Sequence, residues 1–169
     1  MAWDLKFSLP EKGLFDKAQL AQVAAIFRAL HPSDTDRGIP GADEAGAARF
    51  LDLLLSPNSK AGYEEIPDWR AKYPGWLAAL DGAAQASLGQ SLAKLDMSQM
   101  TSFLTALEGG SLANVADQKL IFKTLWRHCL QGCWADPRWG GNRDKVMWRW
   151  LGYLQDAQTI DLAKEGASA

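Results

Sequence analysis

The segment from His128 to Tyr153 constrains this chain more than any other, because it joins a bulky amphipathic run to a Pro/Gly breaker and then to a second aromatic-rich run. The order Trp134-Ala135-Asp136-Pro137-Arg138-Trp139-Gly140-Gly141-Asn142-Arg143 reads as the end of one helix, a fixed corner and the approach to a short helix through Trp148 and Trp150. Pro137 fixes one dihedral, while Gly140 and Gly141 can take positive φ or let another backbone approach closely. Asp136 or Asn142 can cap the turn or the helix that follows. Five of the eight Trp lie between residues 126 and 150. So much rigid amphipathic surface in one segment is either the centre of the core or a docking face.

Helical periodicity dominates the remainder. Asp16 is a plausible N-cap for a first helix carrying Leu20, Val23, Ala24, Phe27 and Leu30, ending near His31-Pro32. After a turn-rich loop holding Asp34 and Asp36, Ala47, Phe50, Leu51 and Leu54 mark a second helix beginning near Asp43 and stopped by Pro57. From Pro67, Trp69, Tyr73, Trp76, Leu77 and Leu80 again follow a helical period, with Pro74 implying two helices or a kink. Asp96 or Ser98 caps a helix through Met100, Phe103 and Leu107 that Gly109-Gly110 closes, and the longest helix is expected from about Asn114 to Trp134. No segment shows sustained period-two alternation. The fold class is therefore all-α: a single compact helical domain of about five to seven helices over residues 1–154, with the Pro/Gly corner near its C-terminal end. Residues 155–169, small and charged, are expected to form an extended or partner-wrapping tail.

A length of 169 residues with 47% hydrophobic content suits one domain with a sizeable core. The net charge is −2, yet over residues 113–151 Lys and Arg outnumber Asp and Glu by 7 to 3. That excess is too small and interrupted for a nucleic-acid stripe and better suits an acidic protein partner. No run of about 18 apolar residues exists, so no membrane span is expected. The N-terminus, Met1-Ala2-Trp3-Asp4-Leu5-Lys6-Phe7, has neither the continuous apolar core of a secretory leader nor a twin arginine. A cytoplasmic location follows, or a periplasmic one if a leader was trimmed or the partner carries one. Cys129 and Cys133, four apart on a helix, have β-carbons about 5–6 Å apart, beyond the roughly 3.5–4.5 Å of a disulfide. Both read as reduced, buried packing residues.

The residues capable of chemistry do not assemble into a known device. His128 suggests a metal or haem ligand, but the only other histidine is His31, and a metal site needs three or four converging ligands. A structural His hydrogen-bonded to the corner that follows is the plainer reading. His128 and Cys129 are adjacent on a helix and point about 100° apart, so they form no nucleophile–base pair. Gly140-Gly141 lacks the third glycine of a dinucleotide motif and the Lys-Ser/Thr of a phosphate loop. Asp34 and Asp36 lack the later acidic ligands of a calcium loop, and a Trp69/Tyr73/Trp76 stripe at helical spacing is more often core than a sugar platform.

The helix–corner–helix segment resembles the gluconate 2-dehydrogenase subunit 3 family, the small subunits of flavin-dependent sugar dehydrogenases. His128 followed by Gly132, then Asp136-Pro137, Trp139 before Gly140-Gly141-Asn142, and the aromatic helix through Trp148 to Gly152 carry the likeness. It extends more weakly to the first helix, His31-Pro32-Ser33-Asp34 and the second helix opened by Pro40-Gly41. The resemblance implies a non-catalytic small subunit with no catalytic, cofactor or metal residues of its own. It implies as partner a large FAD-binding dehydrogenase subunit of the glucose-methanol-choline oxidoreductase type, such as glucoside 3-dehydrogenase, with electrons passing on to a cytochrome c or another acceptor. His128, Gly132, Trp134, Asp136, Pro137, Trp139, Gly140, Gly141, Asn142, Arg143, Trp148 and Trp150 are then the structural or partner-binding set. Trp148 and Trp150, two apart on a helix, are expected to face one inward and one outward. Two rivals stand beside this reading: a stand-alone helical enzyme or metal-binding protein using His128, Cys129 and Asp136, and a chaperone that folds the flavoprotein and leaves.

Overall fold

In the computed structural model, which describes residues 9–153, Asp16 and Asp96 open helices α1 (Lys17–Leu30) and α5 (Met97–Gly109) by the same device. Each carboxylate accepts the backbone N–H three residues on at 2.8 Å, while Gln19 or Gln99 reaches back to the aspartate N–H at 3.1 Å. Two otherwise orphaned donors at each helix start are thereby satisfied.

Elsewhere the chain departs from its periodicity at identifiable residues. The expected second helix is two: α2 (Ala42–Ala45) and α3 (Ala47–Leu54), divided at Gly46, whose φ of +69° closes one and opens the other. Pro74 neither ends nor divides α4 (Ile66–Leu88), which at 23 residues is the longest helix among the described residues. The proline forfeits one backbone hydrogen bond, but Trp69, Tyr73, Leu77 and Leu80 bury one continuous face across it. Helix α6 (Gln118–Trp134) begins four residues after Asn114 and is not the longest. Asn114 and Asp117 both adopt positive φ, and the Gln118 side chain ties Leu112 and Val115 into a loop instead. Short 3₁₀ turns at Leu92–Lys94, Pro137–Trp139 and Arg143–Lys145, and the five-residue α7 (Val146–Trp150), complete the order.

The fold is all-α around one core. Helix α6 packs along α3 and α5, while α1 touches α3, α4, α5 and α6. Val23, Ile26 and Phe27 of α1 meet Leu51, Leu77, Leu80, Leu107, Ile121 and Leu125, all essentially buried. Among the described residues no strand forms. An isolated bridge pairs Asp34 with Ile39, and the Asp34 carboxylate accepts the Arg37 N–H, so this loop is a solvated turn. No described helix is long and apolar enough to cross a membrane. Cys129 and Cys133 are free and buried, with the Cys129 Sγ 3.7 Å from the Phe27 carbonyl oxygen. The expected tail 155–169 lies outside the described residues.

Ahead of α1 the chain runs along α3. Leu14 N–H donates to the Asp52 carbonyl at 3.1 Å, Phe15 N–H to the buried Asp52 carboxylate at 2.8 Å, and the Ser56 hydroxyl to the Lys12 carbonyl at 2.7 Å. As a test of the capping argument, Asp96→Ala should lower the unfolding free energy by about 1 kcal/mol. The effect is read as a lower urea midpoint with an unchanged slope.

Candidate functional site

Helix α6 ends on carbonyls that its own backbone cannot satisfy, and the corner supplies the partners. Gln131 C=O accepts the Ala135 N–H at 2.8 Å, Gly132 C=O accepts the Asn142 N–H at 2.8 Å, and Trp134 C=O accepts the Trp148 indole N–H at 3.3 Å. For the Gly132 and Trp134 carbonyls the corner is thus a cap brought in from ten and fourteen residues downstream.

Its geometry depends on three glycines with different duties. Gly140 has φ +90° and closes the Pro137–Trp139 turn by donating to the Pro137 carbonyl at 3.0 Å. Gly141 has no positive φ, but a Cβ there would stand 2.3 Å from the Gly132 carbonyl oxygen, so its duty is close approach. Gly132 faces α3 on its other side, where a Cβ would meet the Ala47 Cα at 2.8 Å and its carbonyl oxygen at 2.9 Å. Three layers of backbone therefore meet at one point of α6.

Asn142, fully buried, fastens the far side of the corner. Its carbonyl accepts the Lys145 N–H at 2.8 Å, and its side-chain Oδ1 accepts the Met147 N–H at 2.9 Å, capping α7. Asn142, Asp144 and Lys145 all take positive φ, a conformation that costs of order 1 kcal/mol or more for each non-glycine residue. Docking of the fully buried Met147 and the hydrogen bonds of Asn142 hold this segment in place. On the outer side, Asp136 accepts the Arg138 N–H at 2.9 Å and receives its guanidinium at 3.1 and 2.8 Å. Those hydrogen bonds from Arg138 hold the Asp136 carboxyl below the usual carboxylate range.

His128 does not bond to the corner. Its Nδ1 lies 2.6 Å from the Tyr73 hydroxyl on α4, with the Trp69 ring 4.5 Å away at 80° and Arg127 over the Trp69 face at 4.7 Å. Both partners are buried. Burial, helped by the Arg127 charge, pushes the His128 pKa down to about 3, and burial raises that of Tyr73. The pair is neutral at physiological pH. The hydrogen bond with Cys133, together with burial, raises the Cys129 thiol pKa and keeps it protonated. His128 faces Tyr73, Cys129 faces the Phe27 carbonyl and Asp136 holds Arg138, so these three do not converge. Among the described residues no group of three His, Cys, Asp or Glu side chains is placed to hold a metal ion.

The twelve residues singled out in the sequence fall into three sets. Gly132, Gly141, Asn142 and His128 are buried; Trp134, Asp136, Pro137, Gly140 and Trp148 are half-buried; Trp139, Arg143 and Trp150 are exposed. Trp148 turns inward to the Trp134 carbonyl and packs its ring against Tyr153 at 5.3 Å, while Trp150 is 45% exposed. The sequence reading placed Tyr73 and Ala47 only in helical stripes and did not single out Met147, so the part these three play in the site escaped it. The polar tip of Tyr73 within an apolar stripe was the available signal, since a buried hydroxyl needs a partner.

The family model for gluconate 2-dehydrogenase subunit 3 matches residues 17–154, which take in α1 and the whole corner. No curated protein and no solved structure matches the chain.

Two predictions follow from this geometry. Gly132→Ala and Gly141→Ala should each cost about 3 kcal/mol through overpacking, a fall of roughly 6–12 °C in Tm for a chain of this size. By contrast Gly82→Ala on α4, where a Cβ meets nothing within 4 Å, should raise stability by up to about 1 kcal/mol. Calorimetry of the three variants checks the sign difference. The second concerns pH. The unfolded chain protonates His128 below its ordinary value near 6.5, whereas the folded chain resists down to about 3. The unfolded state binds more protons in that window, so stability falls as pH falls, by up to about 1.4 kcal/mol per pH unit. His128→Gln should flatten the slope of unfolding free energy against pH by that amount, measured between pH 6 and 4.

Proposed function

The chain belongs to the gluconate 2-dehydrogenase subunit 3 family, and from that premise we propose that it is a non-catalytic small subunit that binds a large FAD-dependent sugar or glycoside dehydrogenase. In this reading the flavin and the sugar site belong to the large subunit, of the glucose-methanol-choline oxidoreductase type, and the helical chain stabilises it or helps it mature. Membership of this family supports a role as a subunit of a dehydrogenase complex.

The observation that carries the reading is the outward face of the corner. Trp150, Leu151 and Tyr153 are 45%, 59% and 56% exposed, beside the exposed Arg143, Lys145 and Arg149. Trp, Tyr and Arg are the side chains that most often anchor protein interfaces. Their backbone is not a loose end, because Asn142 and Met147 pin α7 to α2 and α6. A preorganised aromatic and basic face suits an acidic, pocketed partner surface, and preorganisation reduces the ordering cost of binding.

A large FAD-binding dehydrogenase subunit from the same organism is the partner to test. Co-expressed with it, Trp150→Ala/Arg149→Glu should capture the large subunit at least about tenfold more weakly, a loss of ~1.4 kcal/mol or more. The Tm of the variant alone should match wild type, since neither side chain is buried. Capture at wild-type strength would overturn the docking role of this face. Size-exclusion of the co-expressed pair separates a resident subunit from a chaperone that leaves the finished enzyme.

A further inference from the structure

The Tyr73–His128 pair has a chemistry that its structural duty does not use. The two rings belong to α4 and α6, both side chains are fully buried, and the hydroxyl and Nδ1 stand 2.6 Å apart. The His128 Nε2 has no hydrogen-bond partner among the described residues. If the phenol donates to Nδ1, that nitrogen is the single group of the pair left unpaired. The opposite tautomer strands the phenol proton as well, so donation by Tyr73 is the arrangement that burial selects.

A phenol so placed gives up an electron only as its proton leaves, because a tyrosine cation radical is far too acidic to persist beside a base. The base is present, at the distance that proton transfer requires. A route for the electron is present as well. The Trp76 ring, half-buried and so in reach of solvent, packs on Tyr73 with centroids 5.4 Å apart. Trp69 is a poorer entry: it is 7% exposed and carries the Arg127 guanidinium 4.7 Å over its face, a charge that opposes a second positive charge there.

We infer that Tyr73 and His128 form a reversible sink for an electron hole that enters the protein at Trp76. The oxidant is a one-electron, outer-sphere radical at the surface, of the carbonate radical anion class. It takes one electron from the Trp76 indole, becoming carbonate and leaving a tryptophan cation radical. Trp76 then takes one electron from Tyr73 while the phenol O–H bond breaks and its proton bonds to Nδ1 of His128. The products are restored tryptophan, a neutral tyrosyl radical and an imidazolium, so charge and electrons balance and no atom leaves the core. When a surface reductant of the ascorbate class returns one electron through Trp76, the proton goes back to the Tyr73 oxygen. The burial that keeps His128 neutral at physiological pH makes its imidazolium a strong acid in this site, so the return is downhill. This activity goes beyond the subunit role and stands without it.

Pulse radiolysis of the full chain in bicarbonate, which generates the carbonate radical, tests the sink. Tyr63 and Tyr153, the other two tyrosines, are exposed, so Tyr63→Phe/Tyr153→Phe leaves Tyr73 as the one source of a tyrosyl signal. In that background the tryptophanyl absorption should decay as the tyrosyl absorption grows. Adding Trp76→Phe or His128→Gln should slow that growth at least about tenfold, a barrier higher by ~1.4 kcal/mol or more. Growth should also be slower in deuterium oxide, where the moving proton is replaced, a reading that needs no further variant and holds even if one of them fails to fold. No tyrosyl signal in the two-phenylalanine background overturns the inference. So does growth at an unchanged rate with Trp76→Phe, with His128→Gln or in deuterium oxide.

Discussion

One backbone hydrogen bond, from the Asn142 N–H to the Gly132 carbonyl, ties the corner and α7 to α6. It forms only because both segments present glycine where they cross: a side chain on Gly141 would strike the Gly132 carbonyl, and one on Gly132 would strike Ala47. The last carbonyls of a helix normally go to a glycine cap or to water. Here a separate segment takes them, and the cap of α6 doubles as the platform of α7. Local helix termination and tertiary packing become one event.

That economy explains why the residues of the corner divide so cleanly. Those facing α6 are small or polar and are used up in backbone contacts: Gly141, Asn142 and the indole N–H of Trp148. Those facing away are Arg143, Lys145, Arg149 and Trp150, large, exposed and held by a backbone with three residues at positive φ. Strain of that kind persists only where the surroundings over-determine it, so the outer face is held rigid by the inner one. The same logic governs His128. With Tyr73 at its Nδ1 and Trp69 at its edge it is a neutral strut between α6 and α4, and burial, helped by the Arg127 charge, accounts for its depressed pKa.

Much of the architecture was legible because its causes are local. Asp16 and Asp96 with glutamine three residues on announce helix starts through their own hydrogen bonds, and the all-α class follows from periodicity alone. The misreadings have equally specific causes. Apolar residues run through Gly46 unbroken, and Ala45 and Ala47 are both buried, yet the left-handed backbone of Gly46 ends one helix and opens the next there. Pro74 allowed either a boundary or a kinked helix because its lost donor is a local fact, and the boundary is ruled out by the buried face that carries α4 past it, assembled from other helices. Asn114 looked like a helix start until positive φ at Asn114 and Asp117 moved it to Gln118.

The sequence by itself determined where helices can form, that the Pro/Gly segment must be a corner, that the cysteines stay reduced, and that one of Trp148 and Trp150 must face out. Each follows from dihedral preference, helical period or bond length, which act within a few residues. Only the tertiary structure decided that Gly141 serves by close approach and Gly140 by its left-handed backbone, and that His128 answers to Tyr73 across 55 residues. Those outcomes depend on which surfaces meet. A chain read residue by residue carries the shapes of its pieces but not the distances between them.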